Sequence, residues 1–137
     1  MEIFNISLVL IEELKRTENA ILILTQPLSE DGILTEKEKI QIYKEIILNN
    51  NKAKIYIKSH PREKTDYKKI LEKLNLQIEI IRADFPIELL LFFNIRFKKV
   101  ITLFSTAALN FKANSDIEFL GTKNYPKLLK KFGDISI

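Results

Sequence analysis

The chain has 137 residues, 46% hydrophobic and 29% charged, with no cysteine, one histidine and a formal charge of +4. That length and balance fit one folded domain with a real core, and Ile, Leu and Phe spread along the whole chain exclude a disordered one. Without cysteine there is no disulfide framework or thiolate metal site, and the scattered basic charge includes no arginine-rich or aromatic-basic tract for nucleic acid.

In chain order, "IFNISLVLIEELKR" predicts an amphipathic helix with Ile6, Leu10, Ile11 and Leu14 near one face. "AILILT", Ala20 to Thr25, is a continuous apolar run of buried-strand type, and it ends in "QPLSEDG", a stretch of turn formers. Thr35 and Glu38 stand three residues apart, the spacing of a capping box, before a helix to about Leu48 whose core stripe is Ile40, Tyr43 and Ile47. "AKIYIK", Ala53 to Lys58, predicts a second strand, "SHPRE" a loop, and "TDYKKILEKLN" a helix burying Tyr67, Ile70, Leu71 and Leu74. A third strand, "QIEIIR", leads through "ADF" to a helix opened by Pro86, a residue favoured at the first helical position. "KKVITLF" predicts a fourth strand and "STAALNF" a short helix with Ser105 as its N-cap. "DIEFL" is a last strand, and "YPKLLKKF" a last helix stopped by Gly133. The lysine-rich helix faces read as solvated surface.

The longest apolar run, "PIELLLFFNI", is broken by Glu88 and too short to span a bilayer, and Met1 to Leu10 lacks the basic start and cleavage site of a signal peptide. The expectation is a cytoplasmic protein. Its mild basicity suits a phosphate-bearing ligand or an anionic membrane surface.

Strands alternating with helices imply parallel pairing through right-handed crossovers. The predicted fold is α/β, a Rossmann-like doubly wound parallel sheet forming one domain over residues 1–137. Ligands of such sheets bind outside the carboxyl ends of the strands. "SEDG" follows the first strand, "HPRE" the second and "FST" the fourth, so an acid, a histidine and a hydroxyl pair converge on one edge. Glu88, in the first turn after the third strand, joins them as a fourth candidate.

Each candidate carries two readings. Asp31, before Gly32, suits a tight turn as well as a base. His60 is a loop histidine or a catalytic acid, pinned by Pro61 where its strand runs out. Ser105 and Thr106 are helix caps or, with free N–H groups at a helix start, an anion site. Glu88 is a helix-start carboxylate or a ligand contact. Glu30, Gly32 and Lys58 stand beside these as supporting candidates.

No Gly-x-Gly-x-x-Gly or Walker lysine loop follows a strand, and there is no Gly-x-Ser-x-Gly elbow. One histidine leaves little for zinc. No Asp-x-Asp pair exists to hold a metal–nucleotide, so nucleotide chemistry here is expected to need no metal and no cofactor.

Together, "LTQPLSEDG", "IKSHPRE" and "LFSTAALNF" resemble the acidic-acidic-Gly, His-Pro and Ser/Thr motifs of bacterial sialyltransferases, most closely glycosyltransferase family 52, with the polysialyltransferases and family 80 behind it. "PIELLLFF" resembles the segment whose glutamate contacts the donor ribose. The resemblance runs from about Ala20 to Leu120. It implies inverting transfer of sialic acid from CMP-sialic acid to a glycan acceptor of lipooligosaccharide or capsular type, by an enzyme of GT-B architecture. Asp31 would be the general base and His60 the general acid. Ser105 and Thr106 would hold the CMP phosphate, Glu88 the ribose, and Pro61 would fix the loop beside the cytosine.

A GT-B enzyme has two Rossmann-like domains, and this chain has the length of one. It resembles the C-terminal donor-binding half, with the acceptor half absent. The resemblance further implies a homodimer and peripheral association with the inner face of the membrane. Two alternatives stand beside the sialyltransferase. One is a related transferase using another nucleotide sugar, and the other a non-catalytic nucleotide-binding or assembly module.

Overall fold

The computed structural model describes residues 2–74 and 77–136, with side chains from Leu8 onward. Ile6 and Asn75, expected in the first and third helices, lie outside the described side chains and residues respectively. Five strands form one sheet: β1 (Ala20–Leu24), β2 (Lys54–Lys58), β3 (Ile78–Ile81), β4 (Lys99–Thr102) and β5 (Asp116–Phe119). Their order is β3-β2-β1-β4-β5, and every pairing is parallel. Among the described residues five α-helices accompany them: α1 (Glu2–Arg16), α2 (Glu36–Leu48), α3 (Tyr67–Leu71), α4 (Ile87–Phe92) and α5 (Pro126–Phe132). Among the described residues no helix is long and apolar enough to cross a membrane.

Alternation along the central strands sends side chains to two cores, which is why β1 reads as an unbroken apolar run, while the edge strands β3 and β5 carry Glu79, Asp116 and Glu118. Leu22, Leu24, Tyr56 and Val100 pack on one face with Ile11 and Leu14 of α1, Leu90 of α4 and Phe111. Ile21, Ile23, Ile55, Ile57 and Ile101 face the other way, onto Tyr43 and Ile47 of α2, Tyr67 and Leu71 of α3, and Leu128 of α5. The sheet is therefore doubly wound and Rossmann-like.

The helix ends follow local chemistry. Thr35 and Glu38 form the expected reciprocal capping box, and Gly133 ends α5 at a φ of 74°. Pro86 stands one residue earlier than expected, at the N-cap, with α4 starting at Ile87. The third helix splits into α3 and a 3₁₀ turn at Glu72–Leu74. In α2 the buried set is Lys39, Tyr43, Ile46 and Ile47, and Ile40 is only half-buried. Among the described helix residues Lys39 is the exception to the expectation of solvated lysine faces, for reasons found at the ligand edge.

Candidate functional site

The chain order reverses between β1 and β4: β2 and β3 lie to one side of β1, β4 and β5 to the other. The crevice at such a switch point, outside the carboxyl ends of the strands, is where open α/β sheets bind ligands. One residue ties its two walls together. The Gln26 Oε1 accepts from the Phe104 N–H at 3.0 Å, while the Gln26 N–H donates to the Tyr43 hydroxyl at 2.9 Å.

After β2, His60 to Glu63 form a β-turn in which the Glu63 N–H donates to the His60 carbonyl at 2.9 Å. Pro61 occupies the second position, where its fixed φ suits the turn. The Arg62 N–H donates to the His60 Nδ1 at 3.1 Å, so in the neutral ring the proton resides on Nε2. The imidazole itself is exposed. The loop after β1 is likewise closed, with the Asp31 N–H on the Pro27 carbonyl at 2.9 Å and the Gly32 N–H on that of Ser29 at 3.0 Å. Gly32 holds a φ of +74° with open space where a Cβ would be, so backbone conformation rather than room favours glycine there.

Two links join these loops. Arg62 grips Asp31 in a bidentate ion pair, Nη1 to Oδ1 and Nη2 to Oδ2, which also raises the already high guanidinium pKa. Glu30 accepts from the Lys64 N–H at 2.7 Å and from Lys39 Nζ at 2.8 Å. Burial opposes the Glu30 charge, but these hydrogen bonds together outweigh it and hold the carboxyl at about 2. A folded pKa below the usual 4.5 makes this a contribution present above about pH 4.5 and lost as pH falls through about 2. Glu30→Gln should therefore lose less stability than the parent when urea unfolding at about pH 5 is compared with about pH 3. An unchanged difference would show that Glu30 is not held this way.

Beneath the turn, Lys39 and Glu63 are both fully buried as side chains, with Lys39 Nζ 3.1 Å from Glu63 Oε2. Glu63 also accepts from the Tyr67 hydroxyl at 2.6 Å, the Thr25 hydroxyl at 2.6 Å and the His60 N–H at 2.9 Å. Burial, then the Glu63 charge, push the Tyr67 hydroxyl's pKa up, so it stays a donor to that carboxylate. One buried carboxylate thus anchors the strand end, α3 and the backbone of His60, while one buried ammonium joins it to the Glu30 loop.

The remaining candidates lie along the same edge. Ser105 opens a 3₁₀ segment, Thr106–Phe111, rather than an α-helix, and its side chain makes no capping bond. The Ser105 N–H donates to Thr102 Oγ1 at 3.0 Å. The expected hydroxyl cap is absent, and a short 3₁₀ segment offers little dipole, so any anion contact here falls to hydroxyls and local N–H groups. Ser105 is half-buried and Thr106 exposed. Glu88 lies in the first turn of α4, as expected, and is exposed. Lys58 is buried, its Nζ donating to the carbonyls of Ala83 at 2.6 Å and Ser59 at 3.1 Å, and desolvation lowers its pKa. It ties the loops after β2 and β3.

Asp31, Glu30 and the His60–Pro61 turn are thus joined by direct contacts. Ser105 and Thr106 share the edge through strand order and the Gln26 bridge, and among the described residues no hydrogen bond links them to Asp31 or His60. The sequence reading missed Arg62, Glu63, Lys39 and Gln26. Arg62 and Glu63 were visible in "HPRE", and Gln26 as the second residue beyond β1. Nothing local marked Lys39.

The sequence matches the model of glycosyltransferase family 52 over residues 1–124. A Haemophilus influenzae protein described as an uncharacterized protein is 48% identical over 114 residues, covering 83% of this chain and 36% of the relative. The chain thus spans about a third of the length of the curated relative it matches. No solved structure matches it.

Proposed function

Because the chain belongs to glycosyltransferase family 52, we propose that it binds a nucleotide sugar at the carboxyl edge of its sheet, and that this sugar nucleotide is CMP-sialic acid. The observation that supports this most is the joining of Asp31 and His60, on separate loops, by the Arg62 pair and the Glu30–Lys39–Glu63 relay. An acid and a base need such fixed separation, because transfer is sensitive to small misplacements.

In the proposed reaction an acceptor hydroxyl attacks the anomeric carbon and gives its proton to the Asp31 carboxylate. The bond from that carbon to the CMP phosphate oxygen breaks, with inversion, and CMP departs. His60 Nε2–H faces the charge developing on the leaving phosphate, as donor or as proton source. Ser105 and Thr106 hold that phosphate and Glu88 the ribose, with Pro61 fixing the turn. The acceptor is bound between this domain and a second Rossmann-like unit. No metal takes part.

The phosphate site can be tested on this chain in the presence of a chelator. Changing both Ser105 and Thr106 to Ala should weaken CMP by roughly 1 to 3 kcal/mol, the range for hydrogen bonds to a charged group, and cytidine much less. Equal binding of both ligands to parent and variant would remove these hydroxyls from the site. Tighter binding of UDP or GDP than of CMP would move the reading to another nucleotide sugar.

A further inference from the structure

Helix α5 forms a wall of the crevice. Lys127, at its start, pairs with Glu38 of α2 at 2.7 Å, Leu128 is fully buried, and Phe132, at its end, packs tilted against Phe104 beyond β4 with centroids 5.1 Å apart. The residues after it are clasped too. The buried Thr122 hydroxyl donates to the Gly133 carbonyl and accepts from the Ile135 N–H at 2.9 Å. Gly121 lies so close to the Ile135 carbonyl that a side chain there would collide with it. The helix is therefore a fixed part of the edge.

Between this helix and the loop after β1 lies a cavity of about 370 Å³ lined by Asp31, Gly32, Ile33, Lys127, Lys130 and Lys131. Its charges do not cancel. Asp31 is neutralised by Arg62 and Lys127 by Glu38, whereas among the described residues Lys130 and Lys131 have no ion-pair partner. Two uncompensated ammonium groups on a rigid wall, beside a carboxylate already occupied, make a pocket for negative charge.

We propose that this cavity binds an anionic group, a carboxylate or phosphate, carried by the acceptor glycan whose hydroxyl is presented to Asp31. This rests on the reading of Asp31 as the acceptor's base and specifies the substrate class of that site: an acidic glycan in place of a neutral one. A neutral sugar would gain nothing from Lys130 and Lys131, while an anion placed there is positioned within reach of the base. The same ammonium groups could face the donor's carboxylate or an anionic bilayer, and those alternatives give different results.

The test is an amide chemical-shift titration of this chain and of its K130Q/K131Q variant. The probes are galactose 6-phosphate, galactose, CMP, CMP-sialic acid and phosphatidylglycerol vesicles. In the parent, galactose 6-phosphate should move the Gly32, Ile33 and Lys131 amides at concentrations where galactose does not. The double variant should bind the sugar phosphate about tenfold or more weakly, in keeping with charge-assisted hydrogen bonds. It should bind CMP and CMP-sialic acid as the parent does. The proposal is overturned if both sugars act alike, or if the variant keeps its affinity for galactose 6-phosphate. It is equally overturned if the variant loses CMP-sialic acid but not CMP, which assigns the lysines to the donor, or loses vesicle binding alone. CMP failing to bind the parent would instead sink the proposed donor, and the sugar-phosphate arm would still decide the cavity.

Discussion

Asp31→Asn should abolish most sugar transfer while leaving CMP affinity nearly intact, when assayed together with an acceptor-binding half. A base acts on the acceptor hydroxyl, so removing it leaves the donor contacts in place. Loss of a general base typically slows the reaction on the order of a hundredfold to ten-thousandfold. Asp31 has a second job in this structure, holding Arg62 next to His60, and that job needs its own control. Arg62→Ala breaks the same ion pair without removing the carboxylate. If Asp31 serves chemistry, Asp31→Asn should be far more damaging than Arg62→Ala. If it serves only to tie the two loops, the two variants should slow transfer alike. Near-parental turnover in Asp31→Asn would move the base to another residue, with Glu30 the nearest carboxylate in sequence.

The fold was legible because a parallel sheet is buried on both faces. "AILIL" is an unbroken apolar run, "KIYIK" and "KVIT" are apolar inside their lysines, and a proline-containing loop follows each of the first two. Motif placement followed from topology alone, since residues after β1, β2 and β4 must share an edge once the strands are parallel. What could not be read locally was the wiring. Lys39 sits in "EKEK", a segment whose composition reads as solvated helix, and is fully buried. Its partners, Glu30 and Glu63, come from loops on either side of it in sequence, and only the closed sheet brings them to one point. The same holds for Ser105. A serine before a helical pattern reads as a hydroxyl cap, but Thr102, at the end of β4, supplies the oxygen that meets the Ser105 N–H. Local chemistry set the elements, and tertiary contacts between loops set the site.

Lys39→Met should be the most destabilising single change at this edge. Three carboxylates converge on this ammonium, Glu30 at 2.8 Å, Glu63 at 3.1 Å and Glu36 at 3.7 Å. Methionine fills similar volume, so the effect isolates charge and hydrogen bonding from packing. Removing one partner of a buried ion pair costs about 3 to 5 kcal/mol, because the other charge stays buried without compensation. For a chain of this size that corresponds to a fall in Tm of roughly 10 to 20 °C. Glu63→Gln should cost less, since the amide keeps an oxygen for the His60 N–H and leaves Lys39 paired with Glu30. Lys127→Met is the control: its pair with Glu38 is exposed, where solvent and salt screen the charges, so its effect should be small. Urea unfolding of the three variants ranks them. If Lys39→Met and Lys127→Met proved equally mild, the buried relay could not be what fixes the His60 turn against the Asp31 loop. If the ranking holds, Lys39→Met should also weaken CMP in its residual folded fraction. The turn that carries His60 would then have lost the ammonium that links its Glu63 anchor to the loop of Asp31.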